Sequence, residues 1–343
     1  MKVAAVMSVA ALALAACGSS TDSTSGASGT ASAAKSMKIG MAYDVGGRGD
    51  QSFNDAAAAG LDKAKKDLGV VTKEATAVNG EPESAREERL QQLIDAGYKD
   101  VVAVGFAYAP SVKKVAAANP DAKIALIDST DATGPNIENL TFAEQQGSYL
   151  VGAAAALKSK TANIGFIGGV NTDLIKKFEA GYTAGAKAVN PAVKIQVKYL
   201  TQPPDFSGFG DPAKGKTAAE GMYQQGADVI YAAAGGSGGG LFTAATAAKK
   251  MAIGVDSDQA LTASAAAKPF IITSMLKKVD IATFDFIKSL TEGKFVAGTK
   301  VYDLKADGVG YSTTGGQMDA IKAKLDAYKQ QIIDGKIVVP TKP

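Results

Sequence analysis

The chain reads as an α/β protein built from two doubly wound lobes. Three observations predict this. At 343 residues the chain is long for a single domain, and a length near twice the usual domain size favours two. From Met37 onward, short β-rich runs alternate with amphipathic or alanine-rich helical segments. Finally, the strand-like runs are apolar throughout rather than every second residue, as in parallel sheets covered by helices on both faces.

The elements follow in order. Met37–Asp44 reads as a strand, Ser52–Leu68 as a helix, Val70–Val78 as a strand and Glu83–Ala96 as a helix. Asp100–Phe106, Lys123–Asp128 and Asn139–Phe142 are further strands, with a helix at Pro110–Ala118 between the first two. A second set begins with a helix near Gln146. Strands at Asn163–Gly168, Lys194–Leu200, Asp228–Ala233, Ala252–Asp256 and Phe270–Met275 then interleave with helices at Asp173–Val189, Ala213–Gln225 and after Gly240. Helices at Val279–Leu290 and Gln317–Gly335 close the pattern.

Composition removes several function classes. Hydrophobic residues make up 46% of the chain, enough for two cores, and 37 basic against 34 acidic side chains leave a net charge of only +3. Nucleic-acid binding, which draws on a clustered basic surface, gains no support. There is no histidine and a single cysteine. The commonest general base and metal ligand is therefore missing, and neither an internal disulfide nor a thiolate metal cluster can form. The expectation is a protein without metal or cofactor, and not an enzyme.

The N-terminus indicates export. Lys2 supplies a positive charge, and Val3–Ala16 is apolar apart from Ser8, too short for a membrane span and typical of a signal peptide over residues 1–16. It ends Leu14-Ala15-Ala16-Cys17, which resembles the bacterial lipobox, whose cysteine is acylated and becomes the mature N-terminus. Gly18–Lys35 (GSSTDSTSGASGTASAAK) is too poor in large apolar side chains to fold. Residues 17–36 therefore read as a lipid-anchored flexible tether. The predicted location is the extracytoplasmic face of the cell membrane.

Asp44, Gly105, Asp128, Gly235 and Asp256 all end apolar strands. In open α/β sheets ligands sit beyond the carboxyl ends of the strands, so two lobes ending in such residues predict an interlobe ligand cleft. Polar loops follow most strands, and each aspartate has the alternative of a simple cap or turn former.

The stretch Asp44–Asn54, DVGGRGDQSFN, resembles the signature of the basic membrane protein family of lipoproteins, which includes purine-nucleoside receptors of ABC importers. The resemblance continues through Val104-Gly105-Phe106, Leu126-Ile127-Asp128, Phe209–Lys216, Gly226–Ile230, Ala234-Gly235-Gly236, Ile253–Gln259 and Thr273–Asp280. It implies a periplasmic-binding-protein type I fold of the sugar-receptor kind, with three crossovers between lobes. The first lobe would hold 37–142 plus about 274–302, and the second 143–273 plus about 303–343. The resemblance further implies that Asp44, Asn54 and Asp128 meet a purine edge, that Phe53 and Phe209 face the base, and that Gly235, Asp256 and Lys277 hold the ribose. Phe206 rivals Phe209, which keeps the family's spacing to Asp211-Pro212. Two rings can sandwich a flat heterocycle while polar groups read its edge. A carboxylate and an ammonium, Asp256 with Lys277, can clamp hydroxyls. The implied partners are a nucleoside, an ABC permease and, through Cys17, the membrane, with the chain acting as a monomer.

Other readings compete. Sugars and other small polar solutes use the same architecture, and a nucleoside hydrolase would need a positioned carboxylate pair. Gly210–Thr217 (GDPAKGKT) spells a phosphate loop, but a polar segment precedes it and Pro212 removes a needed donor, so an Asp-Pro helix start is expected. Gly235–Gly240 serves as a flexible loop, a close approach to ribose or a phosphate cradle. Arg48-Gly49-Asp50 is read as a chance match to an adhesion tripeptide, and Glu83–Arg89 as a solvated helix face.

Overall fold

The computed structural model describes residues 36–343. The signal segment, Cys17 and nearly all of the tether lie outside these residues. The first lobe opens with β1 (Lys38–Tyr43), α1 (Phe53–Leu68), β2 (Val71–Thr76), α2 (Glu83–Asp95) and β3 (Asp100–Ala103). It continues with α3 (Ala109–Ala118), β4 (Ile124–Ile127) and β5 (Ile137–Phe142). The chain then enters the second lobe through α4 (Glu144–Lys158), β6 (Asn163–Val170), α5 (Asp173–Val189), β7 (Lys194–Thr201) and α6 (Pro212–Gln224). There follow β8 (Val229–Ala233), α7 (Gly238–Ala248), β9 (Met251–Asp256), the single turn α8 (Gln259–Thr262) and β10 (Ile271–Lys277). Helix α9 (Val279–Thr291) and β11 (Gly298–Tyr302) return to the first lobe, and β12 (Val309–Tyr311) and α10 (Lys322–Ile333) end in the second.

The two six-stranded sheets share one topology. Their orders are β11-β5-β4-β3-β1-β2 and β12-β10-β9-β8-β6-β7, so β1 to β5 correspond in place to β6 to β10. All pairs are parallel except the antiparallel β10–β12 edge. Strands β4 (IALI) and β8 (VIYAA) are buried along their whole length, because helices cover both faces.

The correspondence reaches the strand ends. β4 is followed by Asp128 at φ +71° and β9 ends in Asp256 at φ +64°, a left-handed conformation that aspartate tolerates better than most residues. After β3 and β8 come Gly105 at φ +104° and Gly235 at φ +54°, each leading through a short 3₁₀ turn into a helix.

Among the described residues, the chain passes between the sheets at Ala143, at Lys278 and across 303–308. These crossovers are laced together. The Ala143 N–H donates to Tyr302 O (3.0 Å), Lys278 N–H to Gly308 O (2.9 Å) and Leu304 N–H to Gln146 Oε1 (2.9 Å). The expected lobe boundary near 274 moves to Lys278, because β10 stays paired to β9 through Leu276 and to β12 through Lys277.

Strands β11 and β12 are additions to the expected pattern. The first (GTKVY) is an exposed polar edge and the second has three residues, so neither carries an apolar run. The last helix is shorter than expected, because a 3₁₀ turn at Asp319–Ile321 precedes α10. Gly210–Thr217 is a helix start as expected: Pro212 opens α6 and the Asp211 carboxylate accepts from Lys214 N–H at 2.9 Å.

Helices α4 and α5 approach closely enough to need glycine. A Cβ on Gly185 would lie 1.9 Å from Tyr149 O, inside contact distance for any side chain. Gly185→Ala is expected to lower unfolding free energy by about 1–3 kcal/mol through overpacking. Gly221→Ala, where a Cβ meets nothing within 4 Å, should be neutral or gain about 0.5–1 kcal/mol from helix propensity. Urea titration of the two variants checks both.

Candidate functional site

The carboxyl ends of the strands face a cavity between the lobes with about 550 Å³ of empty space, solvent at its mouth included. All eight residues expected to meet a ligand line it: Asp44, Phe53, Asn54, Asp128, Phe209, Gly235, Asp256 and Lys277.

The first lobe supplies the loop between β1 and α1. Asp50 is the true cap of α1, its carboxylate accepting from the N–H groups of Ser52 (2.9 Å), Asn54 (2.8 Å) and Asp55 (3.0 Å). Three donors at the start of the helix are thereby satisfied. Ser52 needs no capping role, and its hydroxyl instead donates across the cleft to Asp256 Oδ2 at 2.5 Å. Asn54 Oδ1 accepts from Asp44 N–H at 3.0 Å, and Asn54 Nδ2 donates to Asp50 Oδ2 at 3.0 Å.

Asp44 follows β1 beside Gly105, which follows β3; these neighbouring strands flank the point where the strand order reverses, the usual ligand position in such sheets. A Cβ at Gly105 would lie 2.5 Å from Asp44 Oδ2, so glycine is what admits the carboxylate. Asp44 Oδ1 accepts from the Val45 N–H at 2.8 Å. Burial pushes the Asp44 carboxyl up to about 6, against the opposing pull of that N–H and of Arg86.

Lys277 ends β10 and is 2% exposed. Its ammonium donates to Asp128 Oδ2 at 2.5 Å and stands 3.4 Å from Glu144 Oε1. It also lies 5.0 Å from the ring centres of Phe53 and Phe142 and 5.5 Å from that of Phe178, within cation–π range. Burial pulls this ammonium down, and the carboxylates of Asp128, Glu144 and Asp256 more than offset it, leaving it above its usual value. The Asp256 carboxyl is pushed up to about 6 by burial, with Lys277 and Ser52 opposing. The expected clamp therefore changes partners: Lys277 bonds Asp128 and Asp256 bonds Ser52, so Asp256 and Lys277 attract without a direct hydrogen bond.

Phe53 and Phe209 reach the cavity from opposite lobes. Phe206 does not line it. It packs edge-on to Phe106 (5.8 Å, 73°) and under the Arg86 guanidinium (5.9 Å). Further bonds join the lobes: Gln259 Nε2 donates to Gln51 O (3.0 Å) and Ser257 Oγ to Ser52 O (3.2 Å). The lobes are closed on each other.

The sequence matches the Bmp family, described as ABC transporter substrate-binding protein PnrA-like, over residues 37–342. This chain belongs to that family. The BmpA nucleoside-binding protein of an ABC transporter of Lactococcus lactis subsp. cremoris is 35% identical over 326 residues, covering 89% of this chain and 90% of its own. The CD4+ T-cell-stimulating antigen of Listeria monocytogenes is 36% identical over 327 residues, with 91% and 90% covered. Among solved structures, an ABC transporter solute-binding protein of Aeropyrum pernix K1 superposes with a TM-score of 0.78 at 31% identity, covering 89% of this chain and 94% of that one. A Caulobacter myo-inositol-binding protein shares the fold alone (TM-score 0.61, 14% identity, 84% and 97% covered). A Bmp-family chain is a solute-binding protein of an ABC transporter, not an enzyme.

Sequence reading missed several parts of this Bmp-family cleft. Glu83–Arg89 is not a wholly solvated face: Arg86 is buried between the Tyr108 and Phe206 rings, and Arg89 pairs with Glu81 at 2.6 Å. Phe106, Phe178 and Asp50 line the cavity, and Glu144 backs Lys277. Arg48 of the adhesion-like tripeptide is held by Asp62 (2.9 Å) and Glu74 (2.5 Å).

The raised Asp44 carboxyl sets a sign for pH dependence. A carboxylate bound to its proton more tightly in the folded state stabilises the fold increasingly as pH falls from above 6 toward the unfolded value near 4. Between pH 7.5 and 5, Asp44 should add about 1 kcal/mol. Asp44→Asn should remove that increment, read as the difference between urea unfolding free energies at the two pH values.

Proposed function

We propose that this protein is the lipid-anchored, extracytoplasmic receptor of an ABC importer for nucleosides, purine nucleosides foremost, working as a monomer that delivers its ligand to the permease. The observation that carries the reading is the pairing of Phe53 and Phe209 from opposite lobes around a cavity otherwise walled by Asp44, Asn54, Asp128, Asp256 and Lys277. Aromatic faces suit a flat base. We assign Asp44, Asn54 and Asp128, all lining the cavity, to a base edge, and Gly235, Asp256 and Lys277 to ribose hydroxyls, which call for acceptors and a donor. The name of the Lactococcus relative supports the same ligand class. Ligand contacts made by both lobes favour the closed state over an open one, and closure is the signal a permease can recognise.

A thermal-shift screen of the purified chain against nucleosides, free bases, pentoses and hexoses tests the ligand. At about 100 times its dissociation constant, a true ligand stabilises by about 2.7 kcal/mol. Phe209→Ala should weaken nucleoside binding by about 1–3 kcal/mol, the range for loss of one stacking face, and Phe206→Ala by less, measured by titration calorimetry. Stabilisation by hexoses or pentoses without nucleosides would replace the ligand class.

The anchor is tested separately. Cys17→Ala should move the protein from the membrane fraction to the soluble extracytoplasmic fraction in cell fractionation. Retention in the membrane would remove the lipid anchor from the proposal.

A further inference from the structure

Glu144 lies outside the set of residues lining the cavity, yet it is 1% exposed and adjoins the buried cation. It is the first residue of α4, immediately after the crossover at Ala143, and Lys277 is the last residue of β10, immediately before the crossover at Lys278. Both belong to the second lobe. Asp128, the closer partner of Lys277 at 2.5 Å, follows β4 in the first. Parting of the lobes would separate Lys277 from Asp128 but not from Glu144, which is 3.4 Å away on its own lobe.

Glu144 is itself steered from the far side. Its Oε2 is buried without a hydrogen bond and lies 3.7 Å from Nζ of Lys177, on α5 next to the cavity-lining Phe178. The carboxylate is thus strung between a half-exposed lysine and a buried one. Burial pushes the Glu144 carboxyl up, and both lysines pull it back toward the charged form. A lysine has three donors. Asp256, the other carboxylate acting on Lys277 from the same lobe, is bonded to Ser52 and makes no direct contact with the ammonium. Without Glu144, Lys277 would have Asp128, across the cleft, as its one close carboxylate. A second carboxylate on its own lobe holds it between the two.

We propose that Glu144 is a positioning residue, holding the Lys277 ammonium on the second lobe so that the cation already faces the cleft when the lobes close on a ligand. The inference rests on the cleft being the ligand site and adds to it a residue that never touches ligand. It makes Lys277 a preassembled element instead of one recruited by closure.

The test uses the full chain in detergent, with inosine as the probe and Glu144→Gln, Glu144→Asp, Lys277→Met and the Glu144→Gln/Lys277→Met double variant. Glu144→Gln should weaken inosine about tenfold or more, as removal of one member of a buried charge set does. Glu144→Asp, which keeps the charge on a shorter arm and also serves should the glutamine variant not fold, should lose less. In the Lys277→Met background Glu144→Gln should change affinity by no more than about twofold, because the two act through one contact. A ligand-free arm follows Lys277 Cε by NMR in lysine-labelled protein, assigned with Lys277→Arg. In Glu144→Gln or Glu144→Asp its titration should move down, by about one pH unit or more for the glutamine. Unchanged inosine affinity in Glu144→Gln, an equal loss with and without Lys277, or an unmoved Lys277 titration would each overturn the proposal. If the wild-type chain binds neither inosine nor any other purine nucleoside of the thermal-shift screen, the purine-nucleoside reading fails by itself, and the ligand-free arm still decides the role of Glu144.

Discussion

Burying ionised groups is the constraint around which the cleft is arranged. An isolated charge removed from water loses several kcal/mol or more of solvation, and only a close, well-oriented opposite charge restores it. Here one fully buried ammonium, Lys277, serves the carboxylates of Asp128, Glu144 and Asp256 at once. The Phe53, Phe142 and Phe178 rings fill the space around it without competing for its hydrogens. Because Asp128 comes from one lobe and Lys277 and Asp256 from the other, this balance is complete only when the lobes meet. Electrostatics inside the cleft and closure of the cleft are therefore a single event.

The repeated topology explains how so small a set of residues arrives there. Equivalent strands β4 and β9 lead into aspartates in the same left-handed conformation, and equivalent strands β3 and β8 into glycines that open the next helix. Two lobes built alike and facing each other present two such edges to one space. The asymmetry comes from the long connection after β1. There Asp50 takes over the capping of α1, which frees Ser52 to reach Asp256 across the gap. A cap and a latch that would compete for one side chain are divided between two.

Much of the fold was legible because its signals are local. Continuous apolar runs mark the inner strands, and the strand-terminal polar residues fall on the cavity because a parallel sheet brings its carboxyl ends to one side. Strand β11 was not legible, since GTKVY is held by backbone pairing to β5 rather than by apolar burial. Arg86 was legible in retrospect: Arg86, Leu90, Leu93 and Ile94 are the buried residues of α2, spaced i, i+4, i+7 and i+8 as one helical face. Charge content outweighed spacing in the reading of that segment, and what offsets the burial of Arg86 lies outside the helix: the Glu81 carboxylate 3.6 Å away and the Tyr108 and Phe206 rings. Glu144 carried no signal at all. A glutamate opening a helix is what the helix dipole favours on any surface, and its burial follows from two crossovers converging.

The balance of donors and acceptors left in the cleft bears on what can occupy it. Asp44, Asp128 and Asp256 bring carboxylate oxygens, and Asp128 Oδ1 is buried without a hydrogen-bond partner in the protein. Burial raises the Asp44 and Asp256 carboxyls, so a donor brought to either would help to hold its charge. A ligand that brings donors, such as ring or exocyclic N–H groups and sugar hydroxyls, supplies what these oxygens lack, and each bond to a charged acceptor is worth more than a neutral one. An anionic ligand would do the opposite, adding negative charge where Lys277 is already shared among three carboxylates. Under the proposed ligand assignment, these residues would favour a neutral, donor-rich solute over its phosphorylated form.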